Sequence, residues 1–256
     1  MLLTLDIGNT NIKAVVFNDQ AIVGSWRLNT DSHRMPQEYA LMISQLFSLH
    51  NLSLVNIHGV AISSVVPSLT TTLTTVCNSL FDIPPLVVSP GIRTGIKVLY
   101  DNPREVGSDR VVDSAAAYHL YGGPSIVVDC GTTTVFDGVS AKAEFVGGAI
   151  APGLRSSAEA LLASTSQLQR VEMHAPRHAI GRNTVQAIQS GVVLSHVDMI
   201  EGMVHRFKQE LGSESKVIGT GGEINLIASQ TTIFDQINPN LMLYGLKLIY
   251  EMNQHQ

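Results

Sequence analysis

Only two cysteines, Cys77 and Cys130, occur in 256 residues, and no CxxC pair is present. That excludes a disulfide framework and a cysteine-based structural zinc site, and the expected state of both is a reduced, buried thiol. Charge is scarce as well: Asp, Glu, Lys and Arg make up 14% of the chain, and its 16 basic residues are scattered within a net charge of −5. Without a basic cluster there is no electrostatic footprint for nucleic acid. Apolar residues reach 45%, yet no stretch approaches the roughly 18 uncharged apolar residues in a row that a membrane helix requires. No GxxxxGK[ST] phosphate loop and no HExxH metal pair is found. His174 and His178, four apart, fall in a Pro-containing segment expected to be loop. Met1–Leu5 is apolar but lacks a basic leader and meets Asp6 at once, so neither a secretory signal nor a transit peptide is expected and the chain is read as cytoplasmic. The sparse charge and the mean hydropathy of +0.19 point to apolar surface covered by a partner subunit.

The sequence does contain alternating strand and helix patterns in two similar halves. LLTLDIGNTNIKAVVFNDQAIVGSWRLNT reads as three strands broken by Gly8, Asn9, Asn18, Asp19 and Gly24. Helices are expected over 36–50, with Tyr39, Met42, Leu46 and Phe47 at helical spacing, and over 69–80, separated by a buried strand in HGVAISSVVP and followed by a strand in PLVVS. EVGSDRVVDSAAAYHLYGG predicts a helix with Ser108 as N-cap and Gly122 near its end. A second meander, SIVVDCGTTTVFDGVSAKAEFVGGAI, follows. Helices over 154–163 and 184–207, a strand in KVIGTGG and a helix over 238–252 complete the pattern. The stripe Val185, Ile188, Val192, Ile200, Met203 and Phe207 is interrupted by little charge and is read as core or, preferably, subunit interface. Alternation of this kind gives sheets with helices packed on their faces, and two domains are expected, 1–115 and 116–256.

Both meanders open with an apolar strand that stops at a carboxylate followed by a Gly-containing turn: Asp6 before Gly8-Asn9-Thr10, and Asp129 before Gly131-Thr132-Thr133. Their positions, about half a chain apart, suggest internal duplication. Gly lets the backbone approach a bulky anion, and successive N–H groups form a concavity suited to phosphate. A carboxylate there must hold a cation, directly or through water, and hard oxygen ligands suit Mg²⁺. In GSDR, Asp109 lies in the first helical turn, where the macrodipole favours negative charge, and it can accept a proton from a substrate hydroxyl during phosphoryl transfer. Arg110 offers a planar fork for a carboxylate or phosphate. Each motif also has a plainer reading: ordinary hairpin turns, and a capped helix start with solvated charges. GTGG at 219–222 either lets an adenosine pass close to the backbone or is a tight strand-to-helix turn. Cys130, with no His beside it in sequence, is read as structural.

Together, DIGNTNIK, YDNPREVGSDR, DCGTTT, GGAIAPG, GRNT and GTGG resemble the type III pantothenate kinases, in the family's order and over essentially the whole chain. The resemblance implies an α/β fold of two ribonuclease-H-like, actin-like ATPase domains, with mixed sheets flanked by helices around a central cleft. It implies ATP-dependent phosphorylation of pantothenate to 4′-phosphopantothenate, the first step of coenzyme A biosynthesis. Asp6, Ile7, Gly8, Asn9, Thr10, Asn11, Ile12 and Lys13 would meet ATP, with Asp6 near Mg²⁺, and Thr132 would join them from the second turn. Tyr100, Gly107, Ser108, Asp109, Arg110 and Thr184 would contact pantothenate, with Asp109 as the catalytic proton acceptor. Asp129 would help hold a monovalent cation, K⁺ or NH₄⁺, and the protein would be a homodimer with Thr184 and its helix near the subunit interface. Two departures add a hydroxyl: Ser108 and Thr133 stand where the family commonly has Ala. Two other readings remain, a non-catalytic ATP-binding regulatory factor in transcription and a kinase for another small hydroxy acid, because one fold hosts many reactions.

Overall fold

The structure is a computed structural model that describes residues 1–164 and 171–254. The chain divides into two compact units, and the division is interleaved. The first unit holds Met1–Gly95, Asp101–Ala116 and the C-terminal segment from Met242; the second holds Ile96–Tyr100 and Ala117–Leu241. This differs from the single boundary after residue 115 that the sequence suggests. The physical reason is the last helix, whose Leu243 is buried with Val15 and Phe17 of the first meander. Tyr244 adds a ring contact 5.6 Å from Phe17.

In the first unit, β1 (Leu2–Ile7), β2 (Asn11–Asn18) and β3 (Ala21–Asn29) form an antiparallel meander. They are followed by α1 (Pro36–Leu49), β4 (Gly59–Ser64), α2 (Pro67–Phe81) and β5 (Leu86–Val87). The sheet order is β3-β2-β1-β4-β5, with β4 parallel to β1 and β5 parallel to β4. Residue alternation decides what each face carries. Leu3, Leu5, Ile7, Ile12, Ala14, Val16, Val60 and Ile62 form one core with Tyr39, Ile43 and Phe47 of α1 and Leu69, Leu73 and Val76 of α2. Asp6, one residue out of phase with that set, falls on the other face. Pro at the first position of both helices suits a site whose N–H has no intrahelical partner.

The second unit repeats this plan. β7 (Ser125–Cys130), β8 (Thr133–Val139) and β9 (Glu144–Pro152) are an antiparallel meander. β10 (Lys216–Thr220) is parallel to β7, and β11 (Gln236–Ile237) is parallel to β10. The order β11-β10-β7-β8-β9 mirrors that of the first sheet, and β6 (Lys97–Val98) adds a sixth strand parallel to β9. The expected duplication is therefore a duplication of topology. Asp6 and Asp129 are each the fifth residue of the first strand of their meander.

The remaining helices are α3 (Ser108–Tyr121), α4 (Leu154–Ala163), α5 (Thr184–Leu211), α6 (Ile224–Ala228) and α7 (Leu241–Met252). The α5 stripe, for which the sequence favours a subunit interface, is core. Ile188, Val192, Val193, Val197, Ile200 and Val204 pack with Ile126, Val128, Phe136 and Val217 of the sheet. Met203 and Phe207 are partly buried against that cluster, and Val185 alone of the stripe is exposed, at 48%. An uncharged helical stripe looks the same in sequence whether it covers its own sheet or another chain. No described helix is long and apolar enough to cross a membrane.

Both thiols are buried and unpaired with one another. Desolvation pushes Cys77 up to about 12, and Cys130 reaches about 12 through desolvation together with the negative charges of Asp129 and Glu223. A thiolate is the reactive form. The folded protein at about pH 8 is therefore expected to leave both cysteines unmodified by an alkylating reagent, with both labelled once denaturant is added; labelling of Cys130 in the folded state would contradict this.

Candidate functional site

The turn between β1 and β2 is closed by the Gly8 N–H donating to the Asn11 carbonyl at 3.0 Å. Thr30 holds it from the side: its Oγ1 donates to the Gly8 carbonyl at 2.6 Å, and its N–H donates to the Thr10 carbonyl at 3.0 Å. Asn9 and Thr10 are exposed at the tip, and Asp6 and Lys13 face each other across the hairpin with Nζ 4.0 Å from Oδ2. Ile7 and Ile12 differ from this set: both are in the hydrophobic core, so any contact they make with a ligand is through the backbone.

The helix start bearing Asp109 lies in the same unit. Ser108 is the first helical residue, and the Gly107 carbonyl accepts from the Val111 N–H at 3.3 Å, which makes Gly107 rather than Ser108 the capping residue. The Ser108 hydroxyl is drawn elsewhere: it lies 2.9 Å from Ser63 Oγ, donates to the Ser64 carbonyl at 3.1 Å and accepts from the Ser64 N–H at 3.2 Å. The Asp109 carboxylate folds back so that Oδ1 accepts from the Arg110 N–H at 2.8 Å. A Cβ at Gly107 would sit 2.4 Å from that oxygen, so glycine leaves the carboxylate its place. Arg110 is buried at 9% exposure. Ser63 in turn is the β4 residue paired with Asp6 on β1. One rung of the sheet thus carries Lys13, Asp6 and Ser63, and Ser63 reaches the residue that precedes Asp109.

In the second unit the Asp129 turn is closed by the Gly131 N–H donating to the Thr133 carbonyl at 3.0 Å. The Thr132 carbonyl accepts from Gly153 N at 3.2 Å and from Ser156 Oγ at 2.7 Å, fastening the start of α4 to the turn. The Cys130 carbonyl accepts from the Glu223 N–H at 2.9 Å, and Glu223 pairs with Arg155 at 2.5 Å. Gly221 has φ +98°, and a Cβ there would lie 2.3 Å from Asp129 Oδ1 and 2.5 Å from the Cys130 carbonyl carbon. GTGG is thus, as it stands, a tight strand-to-helix turn pressed onto the Asp129 turn, while a Cβ on Gly222 would meet open space. Beneath it, Thr134 Oγ1 and His196 Nε2 are 2.9 Å apart in the core, and burial lowers the pKa of His196.

Tyr100 and Thr184 belong to the second unit, whereas Gly107, Ser108, Asp109 and Arg110 belong to the first. The Tyr100 ring is half-buried beside Phe145 at 6.1 Å. Thr184 is exposed at the start of α5, whose cap is Asn183 accepting from the Gln186 N–H at 2.9 Å. Its neighbours Arg182 and Gln186 line a cavity of about 980 Å³ together with Arg177, His178 and Gln189.

Among the described residues no group of three or more His, Cys, Asp and Glu side chains forms a protein-only metal cage. Mg²⁺ keeps waters and substrate phosphates in its shell and takes one or two carboxylates, and Asp6 at the hairpin is a carboxylate that could serve as such a ligand. Asp129 is the carboxylate at the second turn that could hold a cation, whereas the carbonyls of Cys130, Thr132 and Thr133 beside it already accept hydrogen bonds. His174 lies 3.5 Å from Glu172 and does not converge with His178 on any such group.

A family model for type III pantothenate kinase matches residues 2–206. The chain belongs to the type III pantothenate kinase family. It is accordingly a kinase with an alcohol group as acceptor, an ATP-binding transferase of coenzyme A biosynthesis. Solved structures share the fold of this type III pantothenate kinase family member. A protein described as a Baf family transcriptional activator from Campylobacter jejuni matches with TM-score 0.63 at 20% identity, over 99% of this chain and 100% of that one. A protein described as a 2-dehydro-3-deoxygalactonokinase from Sinorhizobium meliloti gives 0.60 at 11% identity, over 100% and 98%. Component A of the (R)-2-hydroxyglutaryl-CoA dehydratase of Acidaminococcus fermentans gives 0.56 at 12%, over 97% and 95%. These likenesses are of fold, the actin-like ATPase and sugar kinase class, with two mixed sheets flanked by helices as the sequence implied.

Sequence reasoning missed Ser63, Ser64, Arg155 and Glu223. The signal for the serines was present: GVAISS ends an apolar strand in two hydroxyls, as LTLD ends one in a carboxylate. Arg155 and Glu223 are 68 residues apart, and no local pattern announces such a pair.

Proposed function

We propose that the protein transfers the γ-phosphoryl group of ATP to the terminal hydroxyl of pantothenate, giving 4′-phosphopantothenate and ADP. The observation that carries this reading is the rung linking the Asp6 hairpin to the Asp109 helix start, with a second Asp–Gly–Thr turn repeated in the other unit. In this scheme Asn9 and Thr10, exposed at the hairpin tip, meet phosphate oxygens while the Gly8 N–H stays on the Asn11 carbonyl, and the Lys13 ammonium, 4.0 Å from Asp6, adds positive charge there. Thr132 of the second turn is assigned to ATP by the family resemblance. Asp109 orients the hydroxyl and accepts its proton as the new O–P bond forms and the bond to the ADP oxygen breaks. Arg110, Tyr100 and Thr184 are assigned to pantothenate. Asp6 would hold Mg²⁺, which would neutralise phosphate charge, and Asp129 would hold K⁺ or NH₄⁺ at the second turn. A homodimer is part of the proposal: Ile180 at 84% and Val185 at 48% exposure leave apolar surface around the start of α5 for a second copy to cover.

The regulatory alternative has less behind it, since 21 acidic residues outweigh 16 basic ones and a regulator has no need of an acid–base group at a helix start. ADP release measured with Mg·ATP against a panel of small hydroxy acids, in K⁺ and in Na⁺ buffers, tests the reading. Turnover with pantothenate that depends on K⁺ is expected; equal turnover with every acid would reassign the substrate.

A further inference from the structure

We propose that Ser63 is a positioning residue for the phosphoryl transfer, holding Asp109 at a fixed distance from the Asp6 hairpin through the Ser108 hydroxyl. The inference rests on the kinase reading above and deepens it. Ser63 is wholly buried, and its backbone is locked by pairing with Asp6 in the parallel ladder. Its hydroxyl is not consumed by a neighbouring turn: the contact it makes, 2.9 Å to Ser108 Oγ, spans 45 residues of sequence. Ser108 completes a three-part clasp on the end of β4 by donating to the Ser64 carbonyl and accepting from the Ser64 N–H. The first turn of α3 is therefore fastened to a sheet rung rather than left to fray.

The consequence for catalysis follows from position. Asp6 and Ser63 stand side by side on adjacent strands, and Asp109 directly follows the residue that Ser63 grips. A shift of about 1 Å between a catalytic group and its target can cost about two orders of magnitude in rate, and a group on a strand is a more rigid support than one on a loop. Ser108, present where the family commonly has Ala, is thus the second half of a hydroxyl pair.

The test is a kinetic cycle on the full-length protein with Ser63→Ala, Ser108→Ala and both together. Each single variant is expected to lower kcat about tenfold with KM for ATP within about twofold of the parent, and the double variant is expected to lose no more than the worse single. Wild-type kcat in Ser108→Ala, or losses that multiply in the double variant, would overturn the proposal, as would a kcat loss that tracks the fall in melting temperature across the three. If Ser63→Ala does not fold, Ser108→Ala at the partly exposed helix start still decides the matter. Amide exchange supplies a readout that does not depend on the reaction: the Ser64 N–H should exchange faster in Ser108→Ala, and unchanged exchange would remove the clasp. A parent protein that forms no product with pantothenate, yet shows faster Ser64 exchange in that variant, would reject the kinase reading and leave the clasp standing.

Discussion

Asp109→Asn is expected to lower kcat by at least about 100-fold while leaving the melting temperature within about 2 °C of the parent. The rate estimate comes from the usual size of acid–base contributions, about 10²–10⁴-fold. Asn keeps the size of the side chain and an oxygen able to accept the Arg110 N–H, so the local geometry at 2.8 Å can persist. It cannot take up the proton of a substrate hydroxyl. Its partly buried place beside Gly107 also means that no bulky group is added or lost. KM for ATP should change little, because the hairpin residues proposed to meet the nucleotide are untouched. Steady-state kinetics beside a thermal melt checks both halves of the expectation, and wild-type turnover in a folded Asp109→Asn protein would remove Asp109 from its assigned role.

Gly221→Ala is expected to damage both stability and nucleotide use. At φ +98° an L-residue is strained, at a cost of order 1–3 kcal/mol. The new Cβ would also collide with the Cys130 backbone and with Asp129 Oδ1, at 2.5 and 2.3 Å. A side chain could rotate away, but the Cys130 backbone is held in the ladder with β8 and accepts from Glu223, so the turn itself must shift. A destabilisation of about 3 kcal/mol corresponds to a fall of roughly 6–12 °C in melting temperature for a domain of 150–250 residues. In protein kept folded by working at low temperature, KM for ATP should rise at least about tenfold as Asp129 and Thr132 are displaced. Calorimetry and kinetics on the same preparation read the two effects, and an unchanged melt would show that the close contact at Gly221 is not rigid.

What is legible in the sequence is whatever local periodicity encodes. Both meanders are readable because their strands alternate or run apolar and the first strand of each stops at a carboxylate and a glycine-containing turn. Residues 36–50 are readable as a helix because Tyr39 and Phe47 recur at helical spacing, although the buried row proves to be Tyr39, Ile43 and Phe47. Destinations are not legible. Nothing in LMLYGLKLIYEM says which sheet it covers, and α7 returns to the first meander through Leu243. The strands Lys97–Val98 and Gln236–Ile237 have two residues each, too few for any period to show.

The candidate site divides in the same way. Asp6, Gly8, Thr10, Asp129 and Thr132 stand out because a charged residue ends an apolar strand. Ser108 does not fill the role that its residue type suggests. A serine suits an N-cap, but the buried Ser63 and the half-buried Ser64 at the end of β4 offer its hydroxyl partners and leave the capping position to Gly107. Choices of that kind are decided by tertiary neighbours, which a local pattern cannot supply.

The most direct test of the whole account is identification of the product. Purified protein given Mg·ATP, K⁺ and pantothenate should yield ADP and a compound whose single new phosphate sits on the terminal hydroxyl, visible by phosphorus NMR and by mass. Stoichiometric ADP release with pantothenate left unmodified, or no reaction from folded protein, would contradict it.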